Sequence, residues 1–498
     1  MSELLPFGPG AALFVGLYLS SLLVIGYAGR RARRDDSLAD FYLAGRGFGL
    51  IVLFLTLYAT QYSGNALFGF VGAAYRSGFG WLVSAHFMVA IIVFYRTYAG
   101  PLRRLAAQYR FVTPADYLMH RYGSRALANV GSLIMIIALG NYLLAQLMTM
   151  GRAFEGLAGP LQGLAYPVGV AALAAIMLVY GTLGGMRAVA WTDVIQGSVL
   201  FVGFIAVLVM LGIEFGPLSA ATERLVTTDR TSLVARPDSA TLRLWLSYIF
   251  LVGIGGALYP QAIQRIYAAR SGRTLNHSFA LMVFMPFVTV VITLIAGIYA
   301  VAYLPGLSGP ETDQAMARLL RVVQAGSTFG YALVALLFAA LLAALMSTAD
   351  SAMLSISSMV TKDLVAANRT QPSPEEQLTR LGKRCSLVVV VALTVLAVLL
   401  REQASLVALI DRKFDVLVQL APAFMLGIHW QRLRAGPVLL GMVVGLTVAL
   451  VLAFGPWPFV IGGKVAGIHP GLIGLLVNAV IAVAGSLRRE PRTVLAAA

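Results

Sequence analysis

The sequence predicts an all-α polytopic membrane protein with about thirteen transmembrane helices. Of its 498 residues, 59% are hydrophobic and only 12% are charged, whereas about a quarter of the residues in an ordinary soluble domain carry a charge. Apolar runs of roughly 20 residues recur from end to end, and this is the length that crosses a hydrocarbon core about 30 Å thick. A transmembrane β-barrel would show short segments of alternating hydrophobicity instead.

The excess of basic residues indicates membrane topology rather than binding to nucleic acid. The net charge is +16, but the Lys and Arg residues form short clusters between apolar runs, as the positive-inside rule requires. The cluster RRARR at 30–34 follows the first apolar run, which predicts an outer N-terminus, and thirteen crossings then leave the C-terminus inside. The expected location is a bacterial-type cytoplasmic (inner) membrane. The single cysteine, Cys385, excludes an internal disulfide and a multi-cysteine metal site.

The predicted spans follow one another along the chain, and we expect no appended soluble domain. They lie near 10–29, 47–75, 79–101, 126–150, 165–184, 190–213, 242–267, 275–303, 328–362, 381–400, 405–429, 435–455 and 465–487. No GxxxxGK[ST] phosphate loop is visible, nor a nucleophile–base pair or a metal-ligand cluster. We therefore expect neither an enzyme nor an ATP-driven pump, and no cofactor.

Two of these spans are interrupted by polar residues or by glycine and proline. The second contains LTLYATQYSGNALFGFVG (55–72), and the seventh contains FLVGIGGALYPQAIQR (250–265). Because the two are five spans apart and five is odd, two consecutive five-helix units would cross the membrane in opposite directions. Broken helices at matching places are typical of transporters built from inverted repeats. Either span alone would favour a kinked packing helix, whereas the pair favours a binding site.

The ninth span turns polar halfway along its length. Ala344, Ser347 and Thr348 share one helical face, because they are spaced i, i+3 and i+4. Hydroxyl groups bury easily, since they bond back to their own helix, and they offer neutral oxygen ligands to a monovalent cation. The alternative is that these residues serve helix packing, as small residues do in membranes. We prefer that alternative for the serines further along the stripe, which are Ser351, Ser355 and Ser358.

Five segments, in order along the chain, resemble motifs of the sodium:solute symporter family, which includes proline, pantothenate, monocarboxylate and sugar symporters. They are DFYLAGRGFG (40–49), YATQYSGNALFG (58–69), YGTLGGMRAVAWTDVIQG (180–197), PQAIQRIYAAR (260–270) and MSTADSAMLSISSMVTKDL (346–364). The resemblance implies sodium-coupled uptake and a LeuT-like core of two inverted five-helix repeats, at 47–213 and 242–429. Outside the two repeats, one extra helix is expected at 10–29 and two within 435–487.

The resemblance also implies a sodium site between the second and ninth spans. Carried over by motif, its ligands are the backbone carbonyls of Ala59, Tyr62 and Ala344 and the hydroxyls of Ser347 and Thr348. The hydroxyl pair is the one that helical spacing also indicates. Sodium is therefore the expected coupling ion.

Three further residues bear on the ion. Proline transporters carry an aspartate where this chain has Gln61, so we expect either a weaker affinity for sodium or coupling to protons. Asp350 lies about 300° round the helix from Ser347, close to the ion face. It is either a charge in the ion path or the partner of an inner arginine. Asp193, in WTDVIQ, either complements a helix N-terminus or, by the resemblance, lies on the sodium exit route.

The organic substrate is predicted to bind across the two breaks. The residues assigned to its pocket are Gln61, Ser63 and Asn65 at the first break, Gly255, Gly256 and Tyr259 at the second, and Tyr142 and Gln146 on the fourth span. Helix N-termini exposed at a break suit a carboxylate. For the pair on the fourth span, spaced i and i+4, packing with an interhelical hydrogen bond is the alternative.

Two departures from the family bear on the class of substrate. Val252 and Gly256 stand where proline transporters carry an aromatic pair, and the Asn and Tyr pattern of the sugar transporters is absent. We therefore expect a small monocarboxylate or a similar organic acid, with sodium/proline or sodium/pantothenate symport as the alternative. The expected partners are the solute, sodium and the lipid bilayer, without nucleic acid or an obligate protein. A membrane sensor module, which would need a separate signalling partner, is the alternative of another class.

Overall fold

A computed structural model describes residues 9–61, 64–155, 164–228, 230–369, 371, 373–401 and 406–487, and within them the chain is helical almost throughout. The first ten α-helices are α1 (Pro9–Arg31), α2 (Leu38–Leu43), α3 (Leu50–Gln61), α4 (Gly64–Ser77), α5 (Val83–Tyr109), α6 (Pro114–Tyr122), α7 (Arg125–Glu155), α8 (Ala165–Phe215), α9 (Leu218–Thr227) and α10 (Ser239–Ala257).

The later helices are α11 (Pro260–Ala268), α12 (Gly272–Met282), α13 (Met285–Tyr303), α14 (Ala315–Gly326), α15 (Thr328–Met359), α16 (Glu375–Leu399), α17 (Leu406–Leu417), α18 (Ala435–Phe454) and α19 (Pro470–Leu487). Strands β1 (Val460–Ile461) and β2 (Lys464–Val465) form an antiparallel hairpin between α18 and α19. Short 3-10 segments occur at Ala44–Arg46, Gly78–Leu82, Thr231–Leu233, Gly309–Gln314, Ala366–Asn368 and Val418–Leu420, and π-helical segments at Val360–Val365 and Pro422–Leu426.

Ten helical stretches in the described residues are long and apolar enough to cross a membrane. The prediction of an all-α polytopic membrane protein is therefore confirmed. Three of the predicted crossings have no stretch of their own. The sixth shares α8 with the fifth, the second is divided between α3 and α4, and the eleventh consists of α17 with short 3-10 and π-helical turns. The predicted repeat boundaries and the predicted orientation of the termini stay predictions.

The helix α8 accounts for two crossings because it is kinked in the middle. A straight helix of its 51 residues would be about 75 Å long at ~1.5 Å per residue, far more than a membrane is thick. At Gly185 the backbone has φ 61° and ψ −151°, a conformation that is essentially restricted to glycine. A Cβ at this position would lie 2.5 Å from the carbonyl oxygen of Phe41 in α2. Glycine is therefore required both by the bend and by the close approach of α2.

The helix α15 lies in the interior, packed against α3, α7, α8 and α11. Its hydroxyl stripe is buried along its whole length, and the distal serines bond to neighbouring helices. The Ser355 hydroxyl donates to Gln264 Oε1 at 2.6 Å, and Ser358 Oγ accepts from Gln264 Nε2 at 2.7 Å. Similarly, Ser357 donates to the carbonyl of Gly382 on α16 at 2.6 Å. Ser355 and Ser358 thus attach α15 to α11, in agreement with the packing role preferred for them, and Ser357 attaches it to α16.

The first helix, α1, is attached to α8 through glycines. A Cβ on Gly26 would lie 2.6 Å from Cβ of Tyr180, and one on Gly29 would lie 2.9 Å from Cβ of Ala188. On the α8 side, a Cβ on Gly184 would lie 2.9 Å from the Gly26 carbonyl. Small residues of this kind let helix backbones approach closely in membranes. The opposite face of α1 exposes apolar side chains, as contact with hydrocarbon requires, including Leu13, Leu17 and Val24.

We predict that Gly185→Ala destabilises the protein by about 2–5 kcal/mol, because it adds backbone strain to a steric clash. The matched control is Gly212→Ala on the same helix, where a Cβ would meet nothing within 4 Å and helix propensity favours alanine by about 1 kcal/mol. Unfolding of both variants in detergent would be compared by titration with denaturant. Equal stability of the two variants would contradict the assigned role of Gly185.

Candidate functional site

The two interrupted spans meet at their breaks. Helix α3 ends at Gln61 and α4 begins at Gly64, while α10 ends at Ala257 and α11 begins at Pro260. The Gln61 amide nitrogen donates to the Gly256 carbonyl at 3.2 Å. The side chain that closes the first helix therefore binds a backbone group that the second helix leaves unpaired.

Two tyrosines of α5 also donate hydrogen bonds to carbonyls at the second break. The Tyr95 hydroxyl donates to the Gly256 carbonyl at 3.1 Å and accepts from the Gln61 amide nitrogen at 2.5 Å. The Tyr98 hydroxyl donates to the carbonyl of Ala257. These tyrosines were not among the residues predicted to lie at the site. In the sequence they stand out only as two tyrosines about one helical turn apart within an apolar run.

The predicted sodium ligands lie where α3 and α15 cross. The Thr348 hydroxyl is 3.4 Å from the carbonyl oxygen of Ala59 and donates to it. Ser347 and Ala344 are buried on the same face of α15, and the Ser347 hydroxyl donates to Asp193. Tyr62, the remaining predicted ligand, lies outside the described residues.

This set of oxygens fits a sodium ion chemically. It consists of neutral hydroxyl and carbonyl groups, the hard donors that such an ion prefers. The neighbouring Thr60 hydroxyl is buried and has no hydrogen-bond partner among the described residues. An orphaned buried hydroxyl is rare in folded proteins, and at this position it is a further oxygen at the end of α3.

A buried ion pair lies next to the predicted ion site. Arg265 and Asp193 are both 0% exposed and 3.1 Å apart. The guanidinium also donates to the hydroxyls of Thr56 at 2.7 Å and Ser351 at 2.6 Å, and Thr56 donates to Asp193. The network joins α3, α8, α11 and α15. Of the two interpretations of Asp193, the geometry shows an engaged side chain inside the bundle rather than a charge at a free helix end.

Arg265 lies near the end of the seventh predicted span, and the sequence predicted no role for it. Helix α11 begins at Pro260, so Arg265 lies more than one turn inside it, on the face that meets α15. The guanidinium bonds back to the carbonyl of Gln261 at 3.1 Å. The sequence feature that could have indicated this position is the polar pair Gln261 and Arg265, which are spaced i and i+4 and so share one helical face.

Asp350 occupies a separate buried site between α15 and α8. The Tyr180 hydroxyl donates to its Oδ2, while Oδ1 has no hydrogen-bond partner among the residues that the structure describes. The sequence offered an inner arginine as an alternative partner for Asp350, but no arginine bonds to it among the described residues. A carboxyl group with one unpaired oxygen in the interior remains a candidate for the ion path.

The predicted substrate residues form a partly aromatic cluster. The rings of Tyr142 and Tyr259 stack at 5.7 Å between centroids, and Tyr259 also lies 5.7 Å from Phe414 on α17. Gln146 is buried on α7, and neither of its amide atoms has a partner among the described residues. A buried amide of this kind usually finds a ligand or water.

The remaining predicted pocket residues play other parts or are not described. A Cβ on Gly255 would lie 2.8 Å from the Phe414 ring, and one on Gly256 would lie 2.8 Å from Ile91. Both glycines therefore allow neighbouring helices to pack closely against α10. Ser63 lies outside the described residues, and Asn65 lies in the first turn of α4.

The fold is that of a LeuT-like secondary transporter. A solved structure of a Na+-coupled sialic acid symporter in a substrate-bound outward-open state aligns with a TM-score of 0.79 at 19% identity, over 97% of this chain and 98% of that one. A nucleobase-cation-symport-1 family transporter, Mhp1, in a closed conformation aligns with a TM-score of 0.54 at 12% identity, over 90% and 94% of the two chains. At these identities the likeness establishes the fold alone.

The chain belongs to the sodium:solute symporter family, whose model matches residues 41–445. It is 26% identical to a sodium/proline symporter of Escherichia coli (strain K12) over 489 residues, which cover 96% of this chain and 94% of the relative. It is 28% identical to a sodium/pantothenate symporter of the same organism, over 92% of each chain. These relatives are transporters.

We predict that Asp193→Asn and Arg265→Met each destabilise the protein by about 3–5 kcal/mol, because each leaves one buried charge uncompensated. The double variant should lose less than the sum of the two losses, since the residues share one network. The control cycle uses the exposed pair Glu376 and Arg380, for which a coupling under about 1 kcal/mol is expected. Denaturant titration in detergent gives all the values. Strict additivity for the buried pair would contradict the assigned network.

Proposed function

We propose that this protein is a sodium-coupled symporter that imports a small organic acid by alternating access. One observation carries the proposal: the end of α3 is attached to two helices at once. Ala59 contacts Thr348 on α15, and Gln61 contacts Gly256 on α10. An ion bound at the first contact would act directly on the backbone that lines the second.

The proposed sodium ligands are the carbonyls of Ala59, Tyr62 and Ala344 and the hydroxyls of Ser347 and Thr348. A hydroxyl that donates its proton to Asp193, as that of Ser347 does, keeps its lone pairs for a cation. Sodium would thereby order the first break against α15. It would favour the state in which these oxygens converge, since a ligand shifts an equilibrium only through different affinities for the two states.

Gln61 supports coupling to sodium rather than to protons at this position. Its amide nitrogen donates both to Tyr95 and to the Gly256 carbonyl, whereas an ionised carboxylate has no proton to donate. An amide also has no proton that titrates in the physiological range. Among the residues assigned to the ion path, a proton-coupled mechanism would have to rely on Asp350 or on Asp193, which is paired with Arg265.

A carboxylate-bearing solute is favoured by two observations. The helix N-termini at the two breaks, those of α4 and α11, provide partial positive charges for such a group. The named substrates of the similar Escherichia coli symporters, proline and pantothenate, both carry a carboxylate, so either one is the second candidate. We assign the protein to a bacterial-type cytoplasmic membrane, with the N-terminus outside.

We predict that proteoliposomes with an inward sodium gradient accumulate one compound from a labelled panel of pyruvate, lactate, acetate, pantothenate and proline. Accumulation should be lost when potassium replaces sodium, because the driving force is then removed. Uptake that follows a pH gradient and ignores sodium would refute sodium coupling. Flux that no ion gradient drives uphill would indicate a channel.

We predict that Ser347→Ala combined with Thr348→Ala abolishes sodium dependence, raising the half-saturating sodium concentration by more than about 30-fold, since two oxygen ligands are lost. The control variant combines Ser198→Ala and Thr447→Ala, whose exposed hydroxyls bond only to their own helices and should leave sodium dependence unchanged. Full sodium-driven uptake by the first variant would sink the site assignment.

A further inference from the structure

A lysine is buried in the aromatic cluster that the substrate residues form. Lys413 on α17 is only 4% exposed. Its ammonium nitrogen lies 3.6 Å from the ring centroid of Tyr142, 4.8 Å from that of Phe414 and 5.3 Å from that of Tyr259. An ammonium group strongly resists transfer out of water, and the aromatic faces around it offset part of that penalty. An ionisable side chain buried within a membrane protein marks a functional site by default.

Two other charged residues of α17 form an ion pair with each other. Arg412 and Asp415 pair with each other at 2.8 Å, and Asp415 accepts from the backbone nitrogen of Gly471 on α19 at 2.7 Å. Lys413 instead points towards α7 and the break between α10 and α11. Lys413 thus lies apart from this ion pair and next to the cluster of predicted substrate residues.

The Lys413 ammonium lies next to the second break, between α10 and α11. Phe414 fills the space left open by Gly255 at the end of α10, so α17 reaches the break directly. Tyr142, the nearest ring, lies one helical turn before Gln146, whose buried amide has no partner among the described residues. The Lys413 ammonium thus contacts the face of α7 that also carries the Gln146 amide.

We infer that Lys413 is the residue that selects for a carboxylate: its ammonium leaves the face of Tyr142 and binds the carboxylate of the incoming solute. This inference rests on the proposed function and deepens it. An ammonium on a four-carbon stem has three donors and a mobile head. It can therefore exchange a ring face for a charge-assisted hydrogen bond, which is stronger than a neutral one. The Gln146 amide would offer a second polar contact to the same solute.

The test compares each acid of the panel with an analogue that lacks the charge: pyruvamide, lactamide, acetamide, pantothenol and prolinamide. Wild-type protein in proteoliposomes should prefer the accumulated acid over its analogue. In Lys413→Met, which keeps the apolar stem, that preference should fall by at least about 30-fold, the loss typical for one partner of a buried charge pair. The control is Lys464→Met, since that lysine also faces a tyrosine, Tyr248, at 5.6 Å but lies on β2. Its preference should equal that of wild type.

Sodium-dependent protection against heat unfolding reports folding and ion binding independently of the solute, and Lys413→Met should retain it. If that variant loses the protection, Lys413→Arg carries the test, because it keeps the charge and should keep the preference for the acid. An unchanged preference in a folded Lys413→Met, or a lost preference in a folded Lys413→Arg, overturns the inference. Wild-type protein that accumulates none of the acids contradicts the proposed function, and the inference falls with it. Sodium-driven accumulation of an analogue in place of its acid overturns the inference and the acidic substrate, but leaves sodium-coupled symport intact.

Discussion

The buried ion pair of Arg265 and Asp193 holds the centre of this transporter together. Neither charge is tolerable alone in an apolar interior, so the four helices that supply the network must stay in register. Thr56 fixes α3, Ser351 fixes α15, and the two charges fix α8 and α11. The predicted sodium ligands that the structure describes lie on α3 and α15. The geometry of the predicted ion site therefore depends on a pair of residues that are not assigned as ligands.

A second constraint comes from the broken backbone. Carbonyl groups released at the end of α10 cannot remain unpaired in an apolar environment. Tyr95 and Tyr98 from α5 and Gln61 from α3 supply the donors. These are long side chains rather than fixed backbone groups, so the same contacts can be exchanged without unfolding a helix. The break is thus satisfied in a way that is compatible with movement.

Periodicity made the helical fold, the two breaks and the hydroxyl pair at Ser347 and Thr348 predictable, because each depends on residues near one another in sequence. Arg265 and Lys413 lie inside the predicted spans 242–267 and 405–429, but helical spacing could not show what their charges contact. Their neighbours come from helices that are distant in sequence: α3, α8 and α15 for Arg265, and α7 for Lys413. Similarly, Gly255 is predicted to line the substrate pocket, and the structure adds that its missing side chain makes room for Phe414. A sequence does not show which neighbour fills the space beside a glycine.

The glycine contacts between α1 and α8 have a mechanical consequence. Backbones as close as those at Gly26 and Gly184 leave no side-chain layer that can deform, so the two helices can slide or tilt only as one body. The first helix is therefore part of the rigid unit that contains Asp193, although its outer face exposes apolar side chains. A spectroscopic label on that outer face would report how this unit moves, without a probe in the interior.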